Sequence, residues 1–388
     1  MNYDFFAQHP AKSKQDVKQL DTNMDSYSRI LLLSQALLSR DKDKIRQENY
    51  KSELNKLVPA STKNLMASLG VDTPKQLGLT CLPLGSFFIS FQFQLARPYI
   101  SGDDEPLYII DNPVAKEKVF KAPMVRSTGW KGALRSALRL KEGWGDENNH
   151  PDLLRLFGTI NDNDTGKTGR LYFYPSFFDR VDLEVINPHD RKKKAGTVPI
   201  PIESVPIGTK GTFTLLYTPL DRIGKDETET RQQIFADLQL VTEGLQAMFT
   251  VYGFGAKTSS GFGVAELSGE GQLIVHYPDT KMQEPKPQEP MLPKDVHDFL
   301  ADYPADYLDM KPKQLKEAGV PNALRKQTKE IKTLYQQYQQ DHAQYQTEMA
   351  EWEAITATPP PKTTTRLFTS FTTLSETIAN LRQTRGDA

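Results

Sequence analysis

The chain has one cysteine, Cys81, in 388 residues. No disulfide can form within it, so the fold is held by packing alone, as suits a reducing compartment. No run approaches the roughly eighteen continuous apolar residues of a membrane-spanning helix, and residues 1–20 are polar, without an apolar signal core. We expect a soluble, cytoplasmic protein with no membrane partner. Nor is there a surplus of charge, because 48 Lys and Arg stand against 49 Asp and Glu. That balance excludes a globally basic binder, so contact with a polyanion has to come from local patches.

What is present divides the chain into three parts. Residues 1–82 are charged and punctuated by leucine, with Ile30, Leu33, Ala36 and Leu37 at amphipathic spacing, and predict a helical N-terminal extension. From 83 to 278 strands and helices interleave. Phe87, Ile89, Phe91, Phe93 and Leu95 alternate with mostly polar residues, the period-two pattern of a half-buried strand. Further strands are expected at 170–174, 181–186, 212–217 and 263–267, and helices at 127–140 and 231–252. The economical arrangement is α+β, a ferredoxin-like or RNA-recognition-type antiparallel sheet with both helices on one face. Residues 279–388 read as a proline-rich linker and a helical C-terminal region, in which 324–354 carry a stripe of Ile331, Leu334, Tyr335 and Tyr338. A threonine-rich loop and a short helix near 374–381 follow.

Four features carry chemistry. Between Lys116 and Lys141 eight Lys or Arg residues face one acid, Glu117. In the expected helix Lys131, Arg135 and Arg139 recur every four residues and share a face. Leu134, Ala137, Leu138 and Leu140 are placed to face the sheet. Ser127 or Thr128 can cap the helix, whose first N–H groups and dipole favour a phosphate. A phosphate backbone could lie along this row, with Arg126 at its start. A solvated basic face is the bland alternative.

The second feature is the run from Gly253 to Gly263. Gly253, Gly255, Lys257, Thr258, Ser259, Ser260 and Gly261 could let backbone N–H groups and an ammonium approach phosphates, or could simply be a turn. It is no nucleotide-hydrolysing loop, since Ala256 separates glycine from lysine and the run joins helix to strand rather than strand to helix. Third, the basic tip Arg191, Lys192, Lys193 and Lys194, followed by a proline-stiffened stretch, suits a protruding β-hairpin arm over about 182–208. A disordered basic loop is the alternative. Fourth, Asp111 follows the apolar Leu107-Tyr108-Ile109-Ile110 and precedes Asn112-Pro113. A carboxylate held there could orient or deprotonate a 2′-hydroxyl or hold a divalent cation, although most such aspartates only form turns.

The order of these features resembles the RAMP superfamily, specifically the backbone subunit of type III CRISPR effector complexes that coats guide RNA. Asp111-Asn-Pro-Val114 matches the family's aspartate loop. Ser127-Thr-Gly-Trp-Lys131-Gly132-Ala-Leu-Arg135 matches its helix start, Glu203-Ser-Val-Pro-Ile-Gly208 the end of its arm, and Gly253 to Gly263 its glycine-rich loop. The resemblance implies that Lys131, Arg135 and the glycine loop hold the guide, and that the 191–194 tip separates segments of guide–target duplex and touches the next subunit. It also implies that Asp111 cleaves the complementary target RNA with a divalent cation such as Mg²⁺. Other RAMP-type subunits and the large and small subunits of the complex are the implied partners, with base pairing supplying sequence specificity. Arg126 and Trp130 depart from the small or aliphatic residues usual in the family, and both terminal regions exceed its minimal pattern.

Three functions follow from this reading. The first is a guide-binding subunit that also cuts target RNA through Asp111. The second is a non-catalytic structural or capping subunit, and the third a standalone guide-processing endoribonuclease that relies on His189.

Overall fold

The computed structural model describes residues 4–71, 78–103, 108–144, 150–159, 166–187, 189–190, 195–196, 199–277, 286–357 and 362–383. They fall into two compact units, one drawn from 1–277 together with 362–388 and the other from 278–361.

The first unit is built on a six-stranded antiparallel sheet. Its strands are β1 (Phe87–Leu95), β2 (Leu171–Phe173), β3 (Lys210–Tyr217), β4 (Ala265–Leu267), β5 (Gly271–Val275) and β6 (Thr364–Phe368). Across the sheet the order is β6, β5, β1, β3, β2, with β4 also pairing with β1. β4 opposes Phe93 to Leu95 and β5 opposes Phe87 to Ser90, so two short strands together do the work of one beside β1. Two helices, α1 (Ser127–Glu142) and α2 (Glu227–Ala247), occupy the β1–β2 and β3–β4 connections. The resulting βαββαβ succession, with β1 central, is the split βαβ arrangement the alternation at 87–95 predicts.

Alternation decides what the sheet buries. Phe87, Ile89, Phe91, Phe93 and Leu95 are buried, while Gln92 and Gln94 on the other face are exposed. Phe91, Phe93, Phe213, Phe249 and Trp130 meet one another at ring-centroid distances of 5.0 to 5.7 Å in tilted, edge-on or stacked pairs. Trp130 is fully buried and its indole N–H donates to Ser176 Oγ at 3.0 Å. The residue that departs from the family's helix start is thus a core anchor, its one polar atom satisfied. On α1, Leu134, Ala137 and Leu138 are buried as expected, but Leu140 is 59% exposed and does not face the sheet.

The ends of the chain are woven into this unit. Helical segments occupy 5–8, 14–18, 26–38, 42–54 and 60–69, and Ile30, Leu33, Ile45, Tyr50 and Leu54 join the hydrophobic core that contains Phe91 and Trp130. The N-terminal region is helical, but it is packed into the domain rather than appended to it. At the other end, 364–368, expected as loop, is β6, paired in register from Gly271–Phe368 to Val275–Thr364. A helix α3 (Phe371–Gln383) follows and packs on α2 through Phe371, Leu374, Ile378 and Leu381. The expected single C-terminal region is therefore split. Its last part belongs to the sheet domain, because pairing with β5 satisfies a strand that local threonine-rich composition reads as loop.

The arm is a β-hairpin: Asp182–Ile186 pairs with Ile200–Ser204, and His189–Asp190 with Ala195–Gly196. Pro201 sits opposite Val185 within the ladder. A two-stranded ribbon has two open edges, so a residue without an N–H is accommodated where a sheet centre would reject it. The arm's basic tip, Arg191 to Lys194, lies outside the described residues. The second unit contains helices at 294–302, 312–317 and 322–357, with a small core of Val296, Phe299, Leu308 and Ile331. No described helix is long and apolar enough to cross a membrane.

Candidate nucleic-acid interface

α1 starts where Arg126 sits at the N-cap with no side-chain cap, and it stops at Gly143, which takes the left-handed conformation (φ 67°). Neither Ser127 nor Thr128 caps it, because Ser127 is already the first helical residue. Gly129 and Gly132 lie in its opening turns, where each costs about 1 kcal/mol of helix propensity relative to alanine. Their placement has a spatial counterpart. With Thr128, Ala133 and Ser136 they form one wall of a cleft of about 770 Å³, and a Cβ added at Gly132 would meet nothing within 4 Å.

The opposite wall is the glycine-rich loop. α2 passes into a π-helical turn, Met248–Tyr252, and Gly253 then turns the chain at φ 75°. Gly253, Phe254, Gly255, Ala256, Thr258 and Ser259 line the cleft. The loop is pinned rather than open. Phe254 N–H donates to Gly263 C=O at 3.0 Å, Ala256 N–H to Ile100 C=O at 2.8 Å, and Gly263 N–H to Pro98 C=O at 2.8 Å. At Gly255 (φ 89°) a Cβ would stand 2.4 Å from the Ile100 carbonyl oxygen, and at Gly263 it would fall 1.8 Å from that of Phe254. These glycines are required by backbone crowding, and the N–H groups of Gly253, Gly261 and Gly263 are spent inside the protein. Thr258 and Ser259 bring hydroxyl-bearing side chains to this wall. Exposed Lys257 sits beside them in the left-handed conformation (φ 56°).

The expected cations divide into two kinds. Arg126 reaches back to Asp103, Nη2 to Oδ1 at 2.7 Å, so the start of the helix is charge-balanced by the acidic loop. Lys131, Arg135 and Arg139 follow at the next angular position round from Gly132 and Ser136 and run beside the cleft rather than into it. Burial and the neighbouring Arg135 push the Lys131 ammonium below its ordinary range, and burial and Arg139 do the same to Arg135.

Asp111 is exposed, at a bend preceding Pro113. Four residues on, Ala115 lines the cleft and donates its N–H to Ser101 Oγ at 2.9 Å. Among the described residues no three His, Cys, Asp or Glu side chains gather as a metal site, at Asp111 or elsewhere. A solitary exposed carboxylate does not make a Mg²⁺ site by itself.

Sequence reasoning missed what lies beneath this loop. Glu203, from the arm's return strand, is fully buried and collects donors from four places. The Tyr50 hydroxyl and the Lys116 ammonium both bond it closely, and the Tyr108 hydroxyl and Val114 N–H reach it at 2.8 Å each. Glu203 stands in the arm motif, but a glutamate beside a Val-Pro pair does not announce burial. Only the 89-residue separation from Val114, closed by folding, reveals it.

No curated protein matches the chain. Three solved structures are similar over parts of it. A cryo-EM structure of type III-B Cmr-beta bound to cognate target RNA has 15% identity and a TM-score of 0.41, covering 66% of this chain and 94% of that one. A CRISPR RNA-guided surveillance complex has 18% identity and a TM-score of 0.33, covering 52% and 71%. A Csm3-Csm4 subcomplex of the type III-A CRISPR-Cas interference complex has 15% identity and a TM-score of 0.30, covering 49% and 78%. These likenesses are distant, and the assignment rests instead on a family model, that of the RAMP superfamily, which matches residues 93–266, from the middle of β1 through β4. Residues 93–266 of this chain match the RAMP superfamily model.

Proposed function

We propose that the chain is a guide-RNA-binding backbone subunit of a type III CRISPR interference complex, with other RAMP-type, large and small subunits as partners. One observation carries the reading. Within a RAMP domain, a cleft walled by the small residues of α1 and by the pinned glycine loop runs beside the Lys131, Arg135 and Arg139 row. A polynucleotide backbone needs such a groove, with room where Gly129 and Gly132 lack side chains and positive charge along one side. The protein reads the backbone, and base pairing supplies sequence.

The test is RNA retention by the complex purified with its partners. Lys131→Ala combined with Arg135→Ala should strip most of the bound short RNA. Gly132→Leu should do the same by filling the groove, without unfolding a helix that has space at that position. Undiminished RNA in both variants would sink the proposal.

The finer part of the proposal is that Asp111 orients or deprotonates the 2′-hydroxyl of guide-paired target RNA. Its exposure and the anchoring of its loop beside Ala115 support this. Asp111→Ala should then abolish cleavage of target while guide content stays constant. A second reading is a structural or capping subunit whose Asp111, exposed at a bend before Pro113, only shapes a turn. Unaltered cleavage in the Asp111→Ala complex would select that reading.

A further inference from the structure

We infer that the N-terminal helical region is the clamp that positions the Asp111 loop, acting through Arg46 and through Tyr50 on the buried carboxylate of Glu203. The inference rests on the proposed role of Asp111 for its catalytic arm and stands on geometry alone for its structural arm.

Arg46 and Tyr50 are four residues apart within the π-helical turn Ile45–Tyr50 and project toward the same loop. Single π turns are uncommon and recur at functional sites. Arg46 donates from Nε at 2.9 Å and from Nη2 at 2.7 Å to one acceptor, the carbonyl oxygen of Ile109, two residues before Asp111. Tyr50 donates to Glu203 Oε1, and the other carboxylate oxygen accepts Val114 N–H, three residues after Asp111. The chain is thus held on both sides of Asp111, by the Arg46 donors from residues 42–54 before it and by the Glu203 acceptor at the base of the arm after it. Asn112 C=O adds a third tie by accepting the Glu203 N–H at 3.1 Å.

Glu203 suits this role chemically. A carboxylate without solvent is tolerated only if its charge and lone pairs are matched, and here the Lys116 ammonium and three neutral donors match them. Burial first, and the Glu203 charge second, push the Tyr50 and Tyr108 hydroxyls well above the ordinary tyrosine range. Both therefore remain donors at every pH at which the protein works. A loop whose own residues are exposed at 111 and 112 is fixed from below by a network with no exposed member. The extra N-terminal helices, which exceed the minimal family pattern, acquire a task by this route: they keep one exposed carboxylate still.

Two readouts on the full-length chain test the clamp. In amide hydrogen exchange, Arg46→Ala and Tyr50→Phe should speed exchange at Val114 and its loop neighbours by about tenfold or more, with β1 and α1 unchanged. Arg46→Lys should restore part of the protection. In the guide-loaded complex the same variants should slow target cleavage at saturating target by about 10²-fold without weakening target affinity, because misplacement by an ångström suffices. Unchanged loop exchange overturns the clamp, and so does exchange that rises equally throughout the domain. Faster loop exchange together with cleavage indifferent to Asp111→Ala supports the clamp and removes the catalytic role of Asp111, so the two failures are distinguishable.

Discussion

The cations aligned on α1 and the cations gathered around Asp237 are built from the same residue types and behave oppositely. Around Asp237, Arg155 donates to Oδ1 from Nε at 2.9 Å and from Nη2 at 2.6 Å, while Arg170 and the Tyr217 hydroxyl reach Oδ2 at 3.1 and 2.7 Å. Arg170 is further held by Asp221 and Gln233. Burial pulls both guanidiniums down, yet the carboxylates outweigh it and both end above their ordinary range. On α1, burial and like-charged neighbours act in the same direction, and Lys131 and Arg135 end below it. One group is complete within the fold and ties the 151–157 helix, the start of β2 and α2 together. The other lies along one face of α1, with like-charged neighbours among its surroundings.

Three measurements would break or sharpen this contrast. Asp237→Ala should have the largest effect, a loss of about 3–5 kcal/mol in urea unfolding, because it removes the buried carboxylate shared by Arg170, part-buried Arg155 and the Tyr217 hydroxyl. A loss below about 1 kcal/mol would mean that the cluster is not the sealed network its geometry describes.

Next in size is the double variant Lys131→Ala and Arg135→Ala. Its unfolding free energy should stay within about 0.5 kcal/mol of the parent, as for surface positions. The slope of log affinity for single-stranded RNA against log salt should shrink by about 0.7 for each phosphate contact removed. An unchanged slope would show that the row does not touch phosphate.

The smallest effect concerns tyrosine ionisation. Burial pushes Tyr99, on the cleft wall, from its ordinary 10.0 up to about 12, with Ser101 and Arg126 pulling it partly back. Tyr217 is pushed further, by burial and then by the Asp237 charge. A tyrosine raised on folding contributes stability that is intact below pH 10 and is lost as pH climbs through the folded value. Tyrosinate absorbance should therefore show Tyr99 ionising around pH 12 and Tyr217 only after it. Tyr99→Phe and Tyr217→Phe identify each signal, and the reverse order would contradict the sealing of the Asp237 cluster.

Legibility in the sequence varied with the range of the interactions involved. β1 and α1 were visible because period-two and period-four patterns are local and strong. β6 was not, since Thr364 to Phe368 becomes a strand only by pairing with residues some 90 positions earlier, across the whole second unit. The glycine loop is recognisable as a feature, while the crowding that demands its glycines is not. Its glycines answer to contacts with Ile100 and Phe254, and its N–H groups are largely engaged within the protein. In the same way the Lys131 row was legible as a helix face, while the groove beside it came from Gly129 and Gly132, whose meaning depends on what stands opposite.

By itself the sequence determined the alternation that makes β1, the helical spacing that aligns Lys131, Arg135 and Arg139, and the order of motifs that marks a RAMP domain. These follow from covalent order and short-range periodicity, which no partner is needed to express. Only the tertiary structure decided that Arg126 is balanced by Asp103, that Trp130 is core, and that Asp111 stands above a carboxylate shared by Tyr50, Tyr108, Val114 and Lys116. Whether a charge is spent inside the fold or left for a ligand depends on desolvation and on neighbours brought from far along the chain. Those two quantities exist only once the chain has closed on itself.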